Sequence, residues 1–268
     1  MVNGYKVIDA HCHIYPQKIA EAAVSATDKF YNTTSTHKGT TDALMCQMDK
    51  TGVDKAVIQS VATTPKQVSS LNHFIKDEVL KNPDRFTGLG TLHPDSRDIE
   101  ADVNELISLG LKGVKLHPDI QRFKIDDYRC LKIYELCEKH KLPILMHTGD
   151  YRYDYSNPNR LSPILEIYKD LIIVGAHLGG WSIWEEASKT LSKYENLYVD
   201  TSSSINFAGG EVCKKAINNY GTDRVMFATD FPMGDQGFEL SEIFKMGFNK
   251  SDLEKIFYLN AAKIYSVK

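Results

Sequence analysis

The sequence predicts an α/β fold, a single (β/α)8 TIM barrel spanning residues 1–268, and three observations carry that expectation. Short β-branched apolar runs alternate with longer stretches of helical periodicity along the whole chain. Parallel strands require such crossovers, because their hydrogen-bonded neighbours run the same way. A length of 268 residues is the usual size of one such barrel. Histidines and aspartates also gather at the C-terminal ends of the apolar runs, which a closed barrel brings to one mouth.

The first strand is expected over Lys6–Ala10, inside the stretch Val7-Ile8-Asp9-Ala10-His11-Cys12-His13. Strand alternation points Asp9, His11 and His13 to one face and Cys12 to the other. Two imidazoles about 6–7 Å apart along a strand can close on one metal ion, although a lone His-x-His pair also arises by chance. Further strands are expected at Ala56–Ser60, Thr87–Leu92, Gly113–Leu116, Ile144–Met146, Ile172–Ala176, Leu197–Asp200 and Val225–Ala228.

Between them, Ile99, Val103, Leu106 and Ile107 form one helical stripe, and Cys130, Ile133, Tyr134 and Cys137 another. Helix starts are signalled at Thr64-Pro65-Lys66-Gln67, at Ser162-Pro163 and at Ser251-Asp252-Leu253-Glu254. Gly52, Gly110 and His140–Pro143 mark helix ends. No Gly-x-Gly-x-x-Gly follows the first strand, so a dinucleotide-binding sheet lacks its central feature. The longest irregular inserts, 15–38 and 148–161, both follow strand C-termini, where barrel enzymes build their active sites.

Composition narrows the partners. A net charge of -3 offers no electrostatic footprint for nucleic acid or an anionic membrane. The five cysteines are scattered, without a Cys-x-x-Cys, which fits a reducing compartment. No basic leader or bilayer-length apolar stretch is present, so a cytoplasmic protein acting on a small molecule is expected, with homo-oligomerisation left open.

Of the nine histidines, His11, His13, His93, His117, His147 and His177 close strands one, three, four, five and six. Asp200 closes the seventh strand and Asp230 the eighth, whereas His37, His73 and His140 fall elsewhere and receive no function. Each histidine alone reads as a core residue, but the set converging on one mouth reads as a metal site. Imidazoles with a carboxylate suit zinc, manganese or iron, and such an ion lowers the pKa of bound water to about 7.

Five motifs then recur in order: Asp9–His13, Gly113-Val114-Lys115-Leu116-His117-Pro118, Met146-His147-Thr148-Gly149, Ala176-His177-Leu178-Gly179-Gly180 and Thr229-Asp230-Phe231-Pro232. With the closing Asn260–Tyr265 they resemble the amidohydrolase superfamily over nearly the whole chain, specifically its amidohydrolase-related branch. That branch includes aminocarboxymuconate-semialdehyde decarboxylase, resorcylate-type decarboxylases and dicarboxylate lactonases. The resemblance implies one divalent metal, zinc first with manganese or iron as alternatives, held by His11, His13, His147 and Asp230. It makes His177 the acid/base residue beside the metal-bound water and lets Asp230 double as proton acceptor. Asp200 becomes a partner that orients an imidazole.

Lys115 and His117, two apart, should both face the barrel interior, with Lys115 read as a cation for a substrate carboxylate ahead of a metal-bridging carbamate. Arg152, on the tyrosine-rich loop after strand five, and Trp181 are the remaining substrate-site candidates, with Arg122 as a further cation after strand four. The leading expectation is a metal-dependent hydrolase of a small, carboxylate-bearing amide or lactone. The alternative is a non-oxidative decarboxylase of an aromatic or unsaturated carboxylic acid at the same site. A barrel nuclease would carry a glutamate beside the last aspartate, where Ala228 and Thr229 stand, and a non-catalytic barrel would have lost some of these positions.

Overall fold

A computed structural model describes residues 1–267 and shows how the apolar runs close on one another. The strands are β1 (Ile8–His13), β2 (Lys55–Gln59), β3 (Phe86–Gly88), β4 (Gly90–Thr91), β5 (Val114–Leu116), β6 (Ile144–Met146), β7 (Ile173–Gly175), β8 (Leu197–Asp200) and β9 (Val225–Met226). All pair in parallel, in the orders β1-β2-β3 and β4 through β9. Two hydrogen bonds join these runs: Leu89 N–H donates to Ile58 O and Gly90 N–H to Gly113 O, both at 2.9 Å. On the far side, Ala10 N–H donates to Phe227 O and Asp230 N–H to His11 O, both at 3.0 Å. The sheet therefore closes into a (β/α)8 barrel.

The third expected strand is split at Leu89, where the backbone changes partner from β2 to β5. Glycines flank the split for lack of room. A Cβ on Gly88 would stand 2.7 Å from Ile75, and one on Gly90 would stand 2.4 Å from Leu106.

The helices are α1 (Ala20–Tyr31), α2 (Thr41–Thr51), α3 (Val68–Lys81), α4 (Ile99–Ser108), α5 (Pro118–Gln121), α6 (Leu131–Lys139), α7 (Pro158–Ile167), α8 (Trp184–Leu191), α9 (Ile205–Ala208), α10 (Gly210–Tyr220), α11 (Gln236–Lys245), α12 (Lys250–Glu254) and α13 (Asn260–Ile264). Thr64 and Gln67 form their capping box on a short 3-10 turn that runs into α3. Two expected starts move upstream. α7 begins at Pro158 because Asn157 caps Asn159 N–H at 2.9 Å, which leaves Pro163 inside the helix. α12 takes Asn249 as its cap, accepting from Asp252 N–H at 3.0 Å. The insert after β1, expected to be irregular, contains α1.

Two apolar layers hold the barrel. Ile8, Ala10, Val57, Leu145, Val174 and Met226 fill its interior, together with Ala261 and Tyr265 from the chain's end, which stop its lower opening. Val7, Cys12, Ile58, Val114, Leu116 and Ile173 face outward under the helices. Because Val114 and Leu116 point out, Lys115 between them points in, and it is fully buried.

β1 does not alternate regularly. Asp9 pairs with Ala56 and Cys12 with Ile58, so three steps on β1 match two on β2. This bulge places Asp9 and Cys12 on the outer side while Ala10, His11 and His13 serve the interior. The expectation that Asp9 shares a face with the two histidines is thereby corrected. Asp9 instead accepts from Thr229 N–H at 3.1 Å, Thr229 Oγ1 at 2.6 Å and Gln236 Nε2 at 2.9 Å, tying β1 to the segment that carries Asp230.

Candidate metal centre at the barrel mouth

The bulge delivers His11 and His13 together. Their Nε2 atoms lie 3.1 Å apart, and Asp230 Oδ1 stands 3.2 Å from the first and 3.6 Å from the second. Asp230 sits in the left-handed region at φ 64°, as do His177 at φ 60° and Ser203 at φ 44°. Such conformations cost a non-glycine residue energy and concentrate where a side chain must be aimed.

Each member of this trio except His13 has its other polar atom engaged. His11 Nδ1 donates to Asp200 Oδ2 at 2.9 Å, which leaves the Nε2 lone pair facing inward. Ser203 Oγ donates to Asp230 Oδ2 at 2.7 Å, leaving Oδ1 free. Asp200 thus stands where an imidazole-orienting partner was expected. His13 Nδ1 is buried without a partner. Burial holds both imidazoles well below the ordinary histidine value, so they are neutral and able to ligate.

Three ligands about 2.1 Å from one ion lie roughly 3.0–3.5 Å from each other. The separations in the trio match that spacing, so its donor set fits a divalent cation with positions left open for other ligands.

His147, expected as the fourth ligand, keeps different company. Its Nδ1 lies 2.9 Å from His177 Nε2, its Nε2 lies 3.4 Å from Asp119 Oδ2, and its ring stacks on His117 at 3.9 Å. His117, Asp119 and His147 form a second group of buried ligand-type side chains. Ser156 Oγ donates to Asp119 Oδ2 at 2.5 Å, while Asp119 Oδ1 has no partner and burial pushes the carboxyl up to about 7. His177 joins the two groups. Its Nδ1 donates to Ser202 O at 2.9 Å, its Nε2 faces His147, and burial lowers it to about 4.

Lys115 Nζ lies 3.1 Å from His11 Nε2, at the floor of a cavity of about 750 Å³. Burial lowers its ammonium to about 8 against the pull of Asp230 and Asp200, and pushes Asp230 up to about 7. The cavity is walled by Ile19, Phe30, Tyr31, Leu71, Trp181 and Phe207. His117, Arg122, His147, His177 and Trp181 all line it.

Arg152 does not stand among the cavity-lining residues. Its Nε and Nη2 donate to Asp150 at 3.0 and 2.7 Å, and its Nη1 donates to Phe30 O at 2.8 Å. The guanidinium packs 5.2–5.8 Å from the ring centres of Phe30, Tyr31, Tyr153 and Trp181. Its charge is spent on latching the end of α1 to the loop after β6. His93, expected at the mouth, caps a turn instead, accepting from Asp95 N–H at 3.1 Å.

Sequence reasoning passed over Asp119, Ser202, Ser203 and Tyr31. The first three follow strand ends directly, so the rule that found the histidines reaches them too. Tyr31 comes from the insert after β1 and carries no local signal.

Residues 8–267 match the amidohydrolase family. The chain is 24% identical over 158 residues to the 2-amino-3-carboxymuconate-6-semialdehyde decarboxylase of Dictyostelium discoideum, covering 54% of this chain and 42% of that protein. It thus spans less than half the length of that relative. A TIM-barrel protein of Bordetella bronchiseptica, described as uncharacterised, superposes with a TM-score of 0.82 at 21% identity, over 98% of this chain and 99% of that one. A dihydroxybenzoic acid decarboxylase of Polaromonas, solved with manganese and the inhibitor 2-nitroresorcinol, superposes at 0.74 with 16% identity, over 98% and 97%. These two likenesses establish a shared fold. No helix among the described residues is long and apolar enough to cross a membrane.

Proposed function

The chain belongs to the amidohydrolase family, and from that premise we propose that it is a divalent-metal-dependent decarboxylase of a small aromatic or unsaturated carboxylic acid. The observation that carries this reading is the His11–His13–Asp230 trio, set with Lys115 at the floor of an aromatic-walled cavity. The relatives with named activities, acting on an aminocarboxymuconate semialdehyde and a dihydroxybenzoic acid, are decarboxylases of unsaturated acids. They favour decarboxylation over the amide or lactone hydrolysis that led the sequence reading.

His11, His13 and Asp230 would hold the ion, with His147 the candidate fourth ligand across His177. When bound, the ion supplies positive charge that fixes and polarises the substrate's oxygen atoms. Manganese is the first metal to load, because the Polaromonas relative was solved with it. Lys115 supplies a second buried positive charge for the carboxylate. Trp181, Phe30 and Phe207 flank a flat ring and exclude water, which favours loss of carbon dioxide over attack by hydroxide. The carbon–carbon bond to the carboxylate breaks, carbon dioxide leaves, and a proton takes its place on carbon. That proton comes from solvent, and His177 and Asp230 are the groups at the cavity floor that would relay it to carbon.

The test is incubation of manganese-loaded protein with a panel of aromatic and unsaturated carboxylic acids, following carbon dioxide release, beside a lactone and amide panel. Carbon dioxide from any of the acids supports the reading. Turnover confined to lactones or amides replaces it with hydrolysis.

A further inference from the structure

The geometry points to Tyr31 as a substrate-binding residue whose phenolic hydroxyl donates a hydrogen bond to an oxygen substituent the substrate carries besides its reacting carboxylate. The inference rests on the carboxylic-acid reading of the cavity given above.

Tyr31 is the last residue of α1, the helix laid across the mouth. Asn32 ends that helix in the left-handed conformation, at φ 54°. The ring is then held from several sides. It meets Trp181 edge-on at 5.3 Å and lies 5.3 Å from the Arg152 guanidinium, whose Nη1 grips the adjoining Phe30 carbonyl at 2.8 Å. Asp150, itself buried, locks that guanidinium in turn. So the loop after β6 fixes where the phenol points.

It points down into the cavity. Tyr31 Oη lies 2.8 Å from His117 Nε2 and 3.4 Å from His147 Nε2. His117 Nδ1 already accepts from Ile120 N–H at 3.4 Å, which assigns the ring proton to Nε2. His117 therefore donates to Tyr31 Oη, and the tyrosine's own proton is left over. The other nearby nitrogen, His147 Nε2, stands 3.4 Å away, longer than a good O–H···N bond, and faces the Gly149 carbonyl more closely, at 3.1 Å. An oxygen entering between α1 and the barrel floor offers that proton a better partner. A phenol is an O–H group at neutral pH, so it serves as a donor.

The experiment measures binding by calorimetry to manganese-loaded protein, with benzoate and 2-hydroxybenzoate as probes, for the native chain and Tyr31→Phe. The variant keeps the ring and its contacts with Trp181 and Arg152, so it removes the hydroxyl alone. Native protein is expected to bind 2-hydroxybenzoate the more tightly, and Tyr31→Phe to erase about 10-fold or more of that preference while benzoate affinity and metal content stay put. Equal losses for both probes, or none for either, overturn the role of Tyr31 while leaving the carboxylic-acid reading in place. Failure of both acids to bind native protein overturns that reading and the role of Tyr31 together.

Discussion

Two groups of ligand-type side chains share one cavity, His11–His13–Asp230 and His117–Asp119–His147, and they are held by different parts of the molecule. The first is fixed by the barrel. His11 leans on Asp200 at the end of β8, Asp230 leans on Ser203, and the Asp230 backbone is pinned to His11 O. The second is fixed by loops, with Tyr31 reaching His117 from α1 and Ser156 reaching Asp119 from the segment after β6. A cation site gains from rigidity, because its ligands repel one another until the ion arrives. A substrate site gains from loops that can adapt. On the proposed reading the metal rests on the first group, with His147 reaching toward it from the second, and His117 and Asp119 meet the substrate.

Replacing His13 with alanine should break the first group outright, costing more than 100-fold in metal affinity and all measurable turnover, read by elemental analysis beside an activity assay. His177→Ala should separate the two functions, keeping the metal while turnover falls about 10²–10⁴-fold. Metal loss as severe as in His13→Ala would move His177 into the ligand set. Asp200→Asn should weaken metal binding about 10–100-fold by freeing the His11 ring, as seen in a competition titration with a chelator. The smallest effect belongs to Asp119→Asn, which should leave metal content unchanged and raise KM several-fold. If this variant instead shed metal as Asp200→Asn does, the distinction between the two groups would collapse.

Sequence and structure agree where the governing physics is local. The strands are legible because apolar β-branched runs declare themselves, and the end-loaded histidines are legible because strand direction in a parallel barrel gathers them at one mouth. Arg152 shows the limit. From the chain alone it was a free cation on an active-site loop, and only the fold reveals that Asp150 and the Phe30 carbonyl use its charge. His147 was legible as a mouth residue, but which of two neighbouring groups its ring would face depends on side chains from β5 and β7, far away in sequence. The split at Leu89 and the bulge in β1 depend on hydrogen-bond register between strands, which period-two patterning does not encode.

That bulge also changes what the His-x-His motif is as a portable part. Because β1 changes phase between Asp9 and Cys12, a regular strand that kept Ile8 and Ala10 facing inward would carry His11 and His13 to the wrong side of the wall. The unit that must travel is larger: the extra step itself, Asp9, and the Thr229 and Gln236 side chains that grip it. An engineer copying Ile8–His13 without that extra step would transplant the letters and lose the reading frame.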